Sequence, residues 1–170
     1  MGPVTDHPYD PTAYVERARR GPCFVCEFLA GNPDYAHETV YEDEDHIAFL
    51  DRWPTVPGKV LVAPKAHIGH VVRDLDERAY TGLMRVVREV ALAVEDVYPT
   101  ERMYLYSLGS MQGNAHLHWH IAALPPGVPY EQQQFHQLMT ENGVLSFSAE
   151  EAAAAATRLR AALASRAGRA

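Results

Sequence analysis

One run of residues constrains this chain more than any other: Asn114-Ala115-His116-Leu117-His118-Trp119-His120-Ile121-Ala122. Histidine recurs at alternate positions, and Leu117, Trp119 and Ile121 fill the places between and after, the period of a strand with one buried face. Side chains two apart on a strand lie about 6.6 Å apart on the same side. The three imidazoles are therefore expected to line one surface while the apolar set enters the core. Imidazole can be neutral near pH 7 and still act as nucleophile, proton carrier or metal ligand. A phosphoryl centre suits such a row, because its anionic oxygens need donors on either side of an attacking group. An exposed polar face, or a chance metal-binding cluster, is the plainer alternative.

The same run resembles the signature of the histidine triad (HIT) family of nucleotide hydrolases and transferases, His-x-His-x-His followed by two apolar residues, met here by His116, His118, His120, Ile121 and Ala122. Residues 49–68, from Phe49-Leu50-Asp51 through Pro64-Lys65-Ala66-His67-Ile68, are similar to the family's other recurrent segment. With the pair Cys23 and Cys26, the likeness covers about residues 23–125. It is specific for the superfamily and leaves the substrate open.

The chain has 170 residues, enough for one domain with a real core. Its net charge is −7 and its only lysines are Lys59 and Lys65. No basic stripe tracks a phosphate backbone, so a nucleic-acid polymer is not expected as a partner, whereas a mononucleotide needs only a local site. No apolar run approaches the roughly 18 residues of a membrane span, and Asp6, His7 and Pro8 do not fit a signal peptide. The expected setting is cytoplasmic, without a membrane partner. There a Cys-x-x-Cys pair favours a metal or redox role over a disulfide.

Taken in order, residues 1–22 read as an arm with a short helix over Pro11 to Arg20, with Tyr14, Val15 and Ala18 inward. Residues 23–130 read as the HIT-like domain and 131–170 as a C-terminal helical extension. Cys23 to Ala30 is expected to form a compact helical turn. A hairpin follows from Glu38 to Tyr41 and His46 to Leu50, then a strand from Lys59 to Ala63. A long helix runs from Leu75 to about Val97, with Asp74 and Glu77 in capping-box spacing. Met103 to Leu108 and Leu117 to Ala123 are the last strands, and Gly109 to Ala115 the loop between them. Beyond them, Gln132 to Met139 suggests a short helix. Ser148 and Glu151 form a second capping-box signal before an alanine-rich helix ending near Gly168, in which Leu159 and Leu163 point to a packing extension. The fold class expected is α+β: a HIT-like antiparallel five-stranded sheet with a long helix, plus the C-terminal helical extension. The resemblance implies the same, and implies a homodimer whose two sheets join.

By resemblance, the middle histidine, His118, is the nucleophile, forming a covalent nucleotidyl-imidazole intermediate, with His116 and His120 beside it and His120 placed to donate to a phosphate oxygen. The glycines of the loop 107–114 let backbone N–H groups approach an anion, and Ser110, Gln112 and Asn114 add donors. Asp51, at a strand end, can accept from ribose hydroxyls, as the resemblance implies, or can simply cap a turn. Phe28 and Phe49, with Val25 beside them, are candidates to enclose a base or are plain core, and Trp53 flanks the pocket or covers it. The expected ligand is a purine nucleotide or nucleotide conjugate.

Two departures mark the leaving-group side. Relatives often carry Gly-Gln followed by Ser or Thr where this chain has Gln112-Gly113-Asn114, which leaves open whether Ser110 or Asn114 substitutes. The arginine that often follows the triad is replaced by Leu124-Pro125-Pro126. Cys23 and Cys26 have the spacing of half a tetrahedral zinc site, and histidines must complete it. Relatives with this pair use the histidine of Pro-Lys-x-His, here His67, and the first triad histidine, His116; His70 is the alternative. A structural zinc would staple the N-terminal turn to the sheet. His7, His37, His46 and His136 read as solvent-facing. The function expected is a nucleotidyl hydrolase acting on the α-phosphate of a phosphoramidate, dinucleoside polyphosphate or adenylylated metabolite. A transferase or phosphorylase, and a nucleotide sensor with little turnover, are the alternatives.

Overall fold

The structure, a computed structural model, describes residues 9–109 and 112–168. Five strands, β1 (Thr39–Glu42), β2 (His46–Leu50), β3 (Val60–Pro64), β4 (Arg102–Tyr106) and β5 (Trp119–Leu124), form one sheet in the order β1-β2-β3-β5-β4. Every neighbouring pair is antiparallel. This is the α+β architecture expected, with a long helix, α3 (Glu77–Val97), between β3 and β4, and a C-terminal helix, α5 (Ala149–Ala167). Helices α1 (Pro11–Arg20), α2 (Phe24–Leu29) and the single turn α4 (Phe135–Leu138) complete it.

Both faces of the sheet are covered, which is why β2 and β3 are buried along their whole length. On one side Ala48, Leu50, Val60, Val62, Ile121 and Ala123 meet the apolar face of α3 and, from α5, Ala156 and Leu159. On the other, Ile47, Phe49, Leu61 and Ala63 meet α2 through Val25, Phe24 and Phe28. The alternation in the triad run holds, since Leu117 and Ile121 pack on the α3 side. The imidazole side is not an open surface, however: α2 lies on it, and His116 and His118 are buried.

Several boundaries differ from the pattern. The ladder of β5 begins at Trp119, two residues after Leu117, because Leu117 N–H donates instead to Ile68 O at 2.6 Å. Likewise, Asp74 does not start α3. Its carboxylate accepts from His70 N–H at 3.0 Å, and Asp76 caps the helix by accepting from Ala79 N–H at 2.8 Å. The second capping box forms as expected, with Ser148 and Glu151 exchanging side-chain and backbone bonds. In α1, Tyr14 and Val15 are exposed and no residue is buried. That helix instead holds on through rings and an end contact: Tyr14 lies edge-on to Trp53, and Arg17 lies over Trp53 and Tyr35.

Candidate active site and metal centre

Alternate backbone direction in the run 116–120 sends the three imidazoles toward α2, where they part company. His116 points to the N-terminal turn. Its Nδ1 lies 3.4 Å from Cys23 Sγ and 3.6 Å from Cys26 Sγ, and His67 Nδ1 lies 3.3 Å from Cys26 Sγ. The ligand atoms of Cys23, Cys26, His67 and His116 all fall within 4.8 Å of one another. A tetrahedral zinc with bonds of about 2.3 Å to sulfur and about 2.0 Å to nitrogen would set S···N separations near 3.5 Å, so the four residues fit the ion. His116 Nε2–H donates to Pro64 O at 2.8 Å, which fixes the tautomer and turns the Nδ1 lone pair toward the thiols. Burial, followed by the Cys23 thiol, pushes the Cys26 thiol up to about 11. A divalent cation reverses that preference. His70 has no ring nitrogen in this group, its backbone N–H being bonded to Asp74, and His67 is the histidine that joins the cluster.

His118 is 2% exposed. Its Nδ1–H donates to the His116 carbonyl at 2.7 Å, and its own carbonyl accepts from Ser107 Oγ–H at 2.8 Å. Burial holds this imidazole neutral by lowering its pKa, so Nε2 carries the lone pair and has no hydrogen-bond partner among the described residues. Phe24 stands edge-on at 5.2 Å, and His120 lies at 4.9 Å, ring centre to ring centre. His120 is driven down to about 3 by burial, with His118 and Lys59 adding to the effect. Tyr106, its cross-strand partner, stacks on it at 4.5 Å with planes 7° apart.

The loop before the triad closes one side. A side chain at Gly109 would crowd Asn114 O at 2.7 Å and touch His118 Cε1 at 3.7 Å. At Gly113 a Cβ would run into the carbonyl oxygen of Arg17 at the end of α1. Gln112, exposed, and Asn114, half-buried, lie in the same short 3-10 turn, residues 112–114. Ser110 lies outside the described residues.

Asp51 is engaged from two directions, its Oδ2 at 3.0 Å from Lys59 Nζ and its Oδ1 accepting from Trp53 N–H at 3.0 Å. Burial raises its carboxyl, but Lys59, then His120, more than reverse this and leave it below the usual range. Lys59 is 4% exposed, a burial that disfavours its charge; Asp51 and then Tyr106 more than offset this and raise its pKa. The aromatic group beside the triad contains Phe24, Phe28, Phe49 and His37. Phe49 and Val25 are fully buried core, and the phenylalanine in ring contact with His118 is Phe24, one turn of α2 before the expected Phe28.

The matching HIT domain model spans residues 32–126, more than half of the chain. The chain belongs to the HIT family. It is 35% identical over 104 residues to the protein hit of Bacillus subtilis, covering 61% of this chain and 70% of that one. Among solved structures it is similar to a hypothetical histidine triad nucleotide-binding protein from Sulfolobus tokodaii, at 26% identity and a TM-score of 0.66, covering 84% of this chain and 93% of that one. It also shares the fold of a zinc-bound histidine triad family protein from Mycobacterium smegmatis, at 22% identity and a TM-score of 0.66, over 87% of this chain and 97% of that one.

Within this HIT fold two histidines without a motif prove to be internal. His46 is buried with Nδ1 at 3.0 Å from Asp43 Oδ1, a pairing that its neighbours in the β1–β2 turn supply. His37 donates from Nδ1 to Leu50 O at 3.2 Å and packs against Phe28 and Phe49, lining a cavity of about 230 Å³ with Asp51, Arg52 and Ser148. His136 is exposed, as expected. No signal in one sequence separates a lone interior histidine from a surface one.

Burial lowers His37 to about 4. The unfolded imidazole titrates near 6.5, so on acidification protons bind the unfolded chain first and stability falls from about pH 6.5 down to about pH 4. Between pH 7 and 4, the wild type is expected to lose about 3 kcal/mol more than His37→Phe, as urea unfolding at each pH measures. Parallel pH profiles for the two proteins would show that His37 titrates as an ordinary surface group.

Proposed function

We propose that this HIT protein is a nucleotidyl hydrolase acting on the α-phosphate of a nucleotide conjugate. The observation that carries the reading is the state of His118: a neutral imidazole, its Nδ1–H committed to a backbone carbonyl, with its Nε2 lone pair free beside the Gly109 loop. In the proposed reaction Nε2 forms a bond to the α-phosphorus as the bond to the leaving group breaks, and the leaving group takes a proton from solvent, which the water of the second step returns. Water then attacks the nucleotidyl-histidine, releasing a nucleoside monophosphate and restoring the imidazole. A phosphate-bearing second substrate in place of water would make the same intermediate serve a transferase or phosphorylase. Neutral His120 donates a hydrogen bond to a phosphoryl oxygen, and backbone N–H groups of the loop with Gln112 and Asn114 assist. Phe24 and Phe28 flank a purine base, and Asp51 accepts from the ribose with lone pairs that Lys59 and Trp53 leave free.

A second reading has its own support. At Gly113, where relatives often carry a hydroxyl, the backbone is pressed against Arg17 O with no room for a side chain. A nucleotide sensor with little turnover would need no group there.

We propose further that Cys23, Cys26, His67 and His116 hold a structural zinc. The ion would supply cross-linking and not chemistry, since four protein ligands leave no open position. Its effect on the site passes through His116, whose carbonyl receives the His118 Nδ1–H. A homodimer through β4 is the expected assembly. The opposite edge, β1, is covered by α5 and by Arg160 donating to Thr39 O, whereas β4 is an edge strand with Leu105 45% exposed.

Incubated with adenylyl and guanylyl conjugates, the protein should release the monophosphate, and His118→Ala should lower that rate by about 10³-fold or more; full turnover by the variant would remove His118 from the chemistry. Metal analysis should find one zinc per chain, and none in Cys23→Ala, whereas unchanged metal content would disprove the site. Light scattering should give twice the chain mass, and a monomer at micromolar concentration would refute the edge pairing.

A further inference from the structure

Around His120 the protein buries polar atoms for which it has no use of its own. Tyr106 Oη and His120 Nδ1 are both buried without a close hydrogen-bond partner, and only the Lys59 ammonium lies near enough to interact with the Tyr106 hydroxyl. Lys59, with three N–H donors on its ammonium, gives one to Asp51 at 3.0 Å. The three side chains are neighbours through the sheet. Tyr106 and Leu61 oppose His120 on β4 and β3, the Tyr106 ring stacks on the imidazole at 4.5 Å, and Lys59 Nζ lies 5.8 Å from the centre of the Tyr106 ring. Native interiors rarely leave such groups unmet unless a ligand meets them.

Charge points the same way. The fixed positive charge that acts on both His118 and His120 belongs to Lys59. Asp51 is itself tied to the turn by Trp53 N–H, so the ammonium is anchored at one donor, faces the Tyr106 hydroxyl with a second and has a third for a ligand. A phosphoryl group gains most from donors that are already oriented and shielded from water.

We propose that Lys59 and Tyr106 form the anion-holding side of the nucleotide site, donating to the non-bridging oxygens of the phosphoryl group that lies against His118. This rests on the nucleotide reading above and adds to it the two residues that recognise the phosphate. A lysine serving only as the counter-ion of Asp51, and a tyrosine serving only as a stacking plate, would affect nucleoside and nucleotide binding alike. The phosphate assignment affects only the nucleotide.

Calorimetric titration of the full chain with AMP and with adenosine separates these cases. Wild type should bind both, AMP more tightly. Tyr106→Phe removes an oxygen whose protein neighbour, Lys59, keeps its ion pair with Asp51, so the fold should be retained, while AMP affinity falls about three- to tenfold and adenosine affinity stays within about twofold. Lys59→Met should weaken AMP about tenfold or more, again sparing adenosine; if that variant fails to fold, Tyr106→Phe decides alone. Equal weakening of both ligands, or no change in AMP affinity, overturns the assignment and leaves the nucleotide reading standing. Wild-type protein that binds neither ligand overturns both.

Discussion

The hydrogen bonds of His116 organise the rest of the site. Its Nε2–H is held by the Pro64 carbonyl at the end of β3, its Nδ1 faces the two cysteines of the N-terminal turn, and its backbone carbonyl takes the Nδ1–H of His118. One residue thus couples the sheet, the turn carrying α2 and the orientation of the central imidazole. Its ring ties the sheet to the N-terminal turn, while its backbone carbonyl fixes the His118 tautomer that leaves Nε2 unprotonated.

That coverage has an electrostatic consequence. A row of histidines on an open strand would titrate near the ordinary imidazole value and carry partial charge at neutral pH. With α2 across it, the same row loses solvent, and desolvation disfavours the protonated form. The imidazoles keep their lone pairs, but the row gives up the positive charge it would carry in water. Lys59 and Asp51 restore a fixed dipole at the opposite end of the row, and their mutual contact is what lets either charge persist at such burial.

How much of this could be read from residue order depends on the range of the interaction. The five-stranded antiparallel sheet, α3, α5 with its capping box and the internal alternation of 116–121 are all visible, because each is a local period or a local cap. The Cys23, Cys26, His67 and His116 cluster was accessible through the spacing of the cysteines combined with a family resemblance, since sequence separations of 41 and 93 residues carry no local signal. The start of α3 was misassigned because Asp74 and Asp76 are equally good caps by composition, and the nearby His70 N–H claims the first. Phe24 does not stand out beside Phe28 and Phe49, since a six-residue helix has too few positions to fix which face looks at the triad.

Lys59 illustrates the same limit at the chemical level. In the sequence it is a lysine after Pro57-Gly58, with every sign of a solvent-facing turn. What buries it is the left-handed conformation at Gly58, φ 67°, where any side chain would run into the Tyr98 ring. The bend lets the chain turn sharply between Asp51 and Val60, so that Asp51 N–H donates to Lys59 O at 3.0 Å while the two side chains meet on the triad side. A residue with a β-carbon at position 58 would have to open that bend, and the ammonium would swing toward solvent, where hydration and screening leave it little influence on the imidazoles. The charge at the heart of the site is therefore set by a glycine that touches neither histidine.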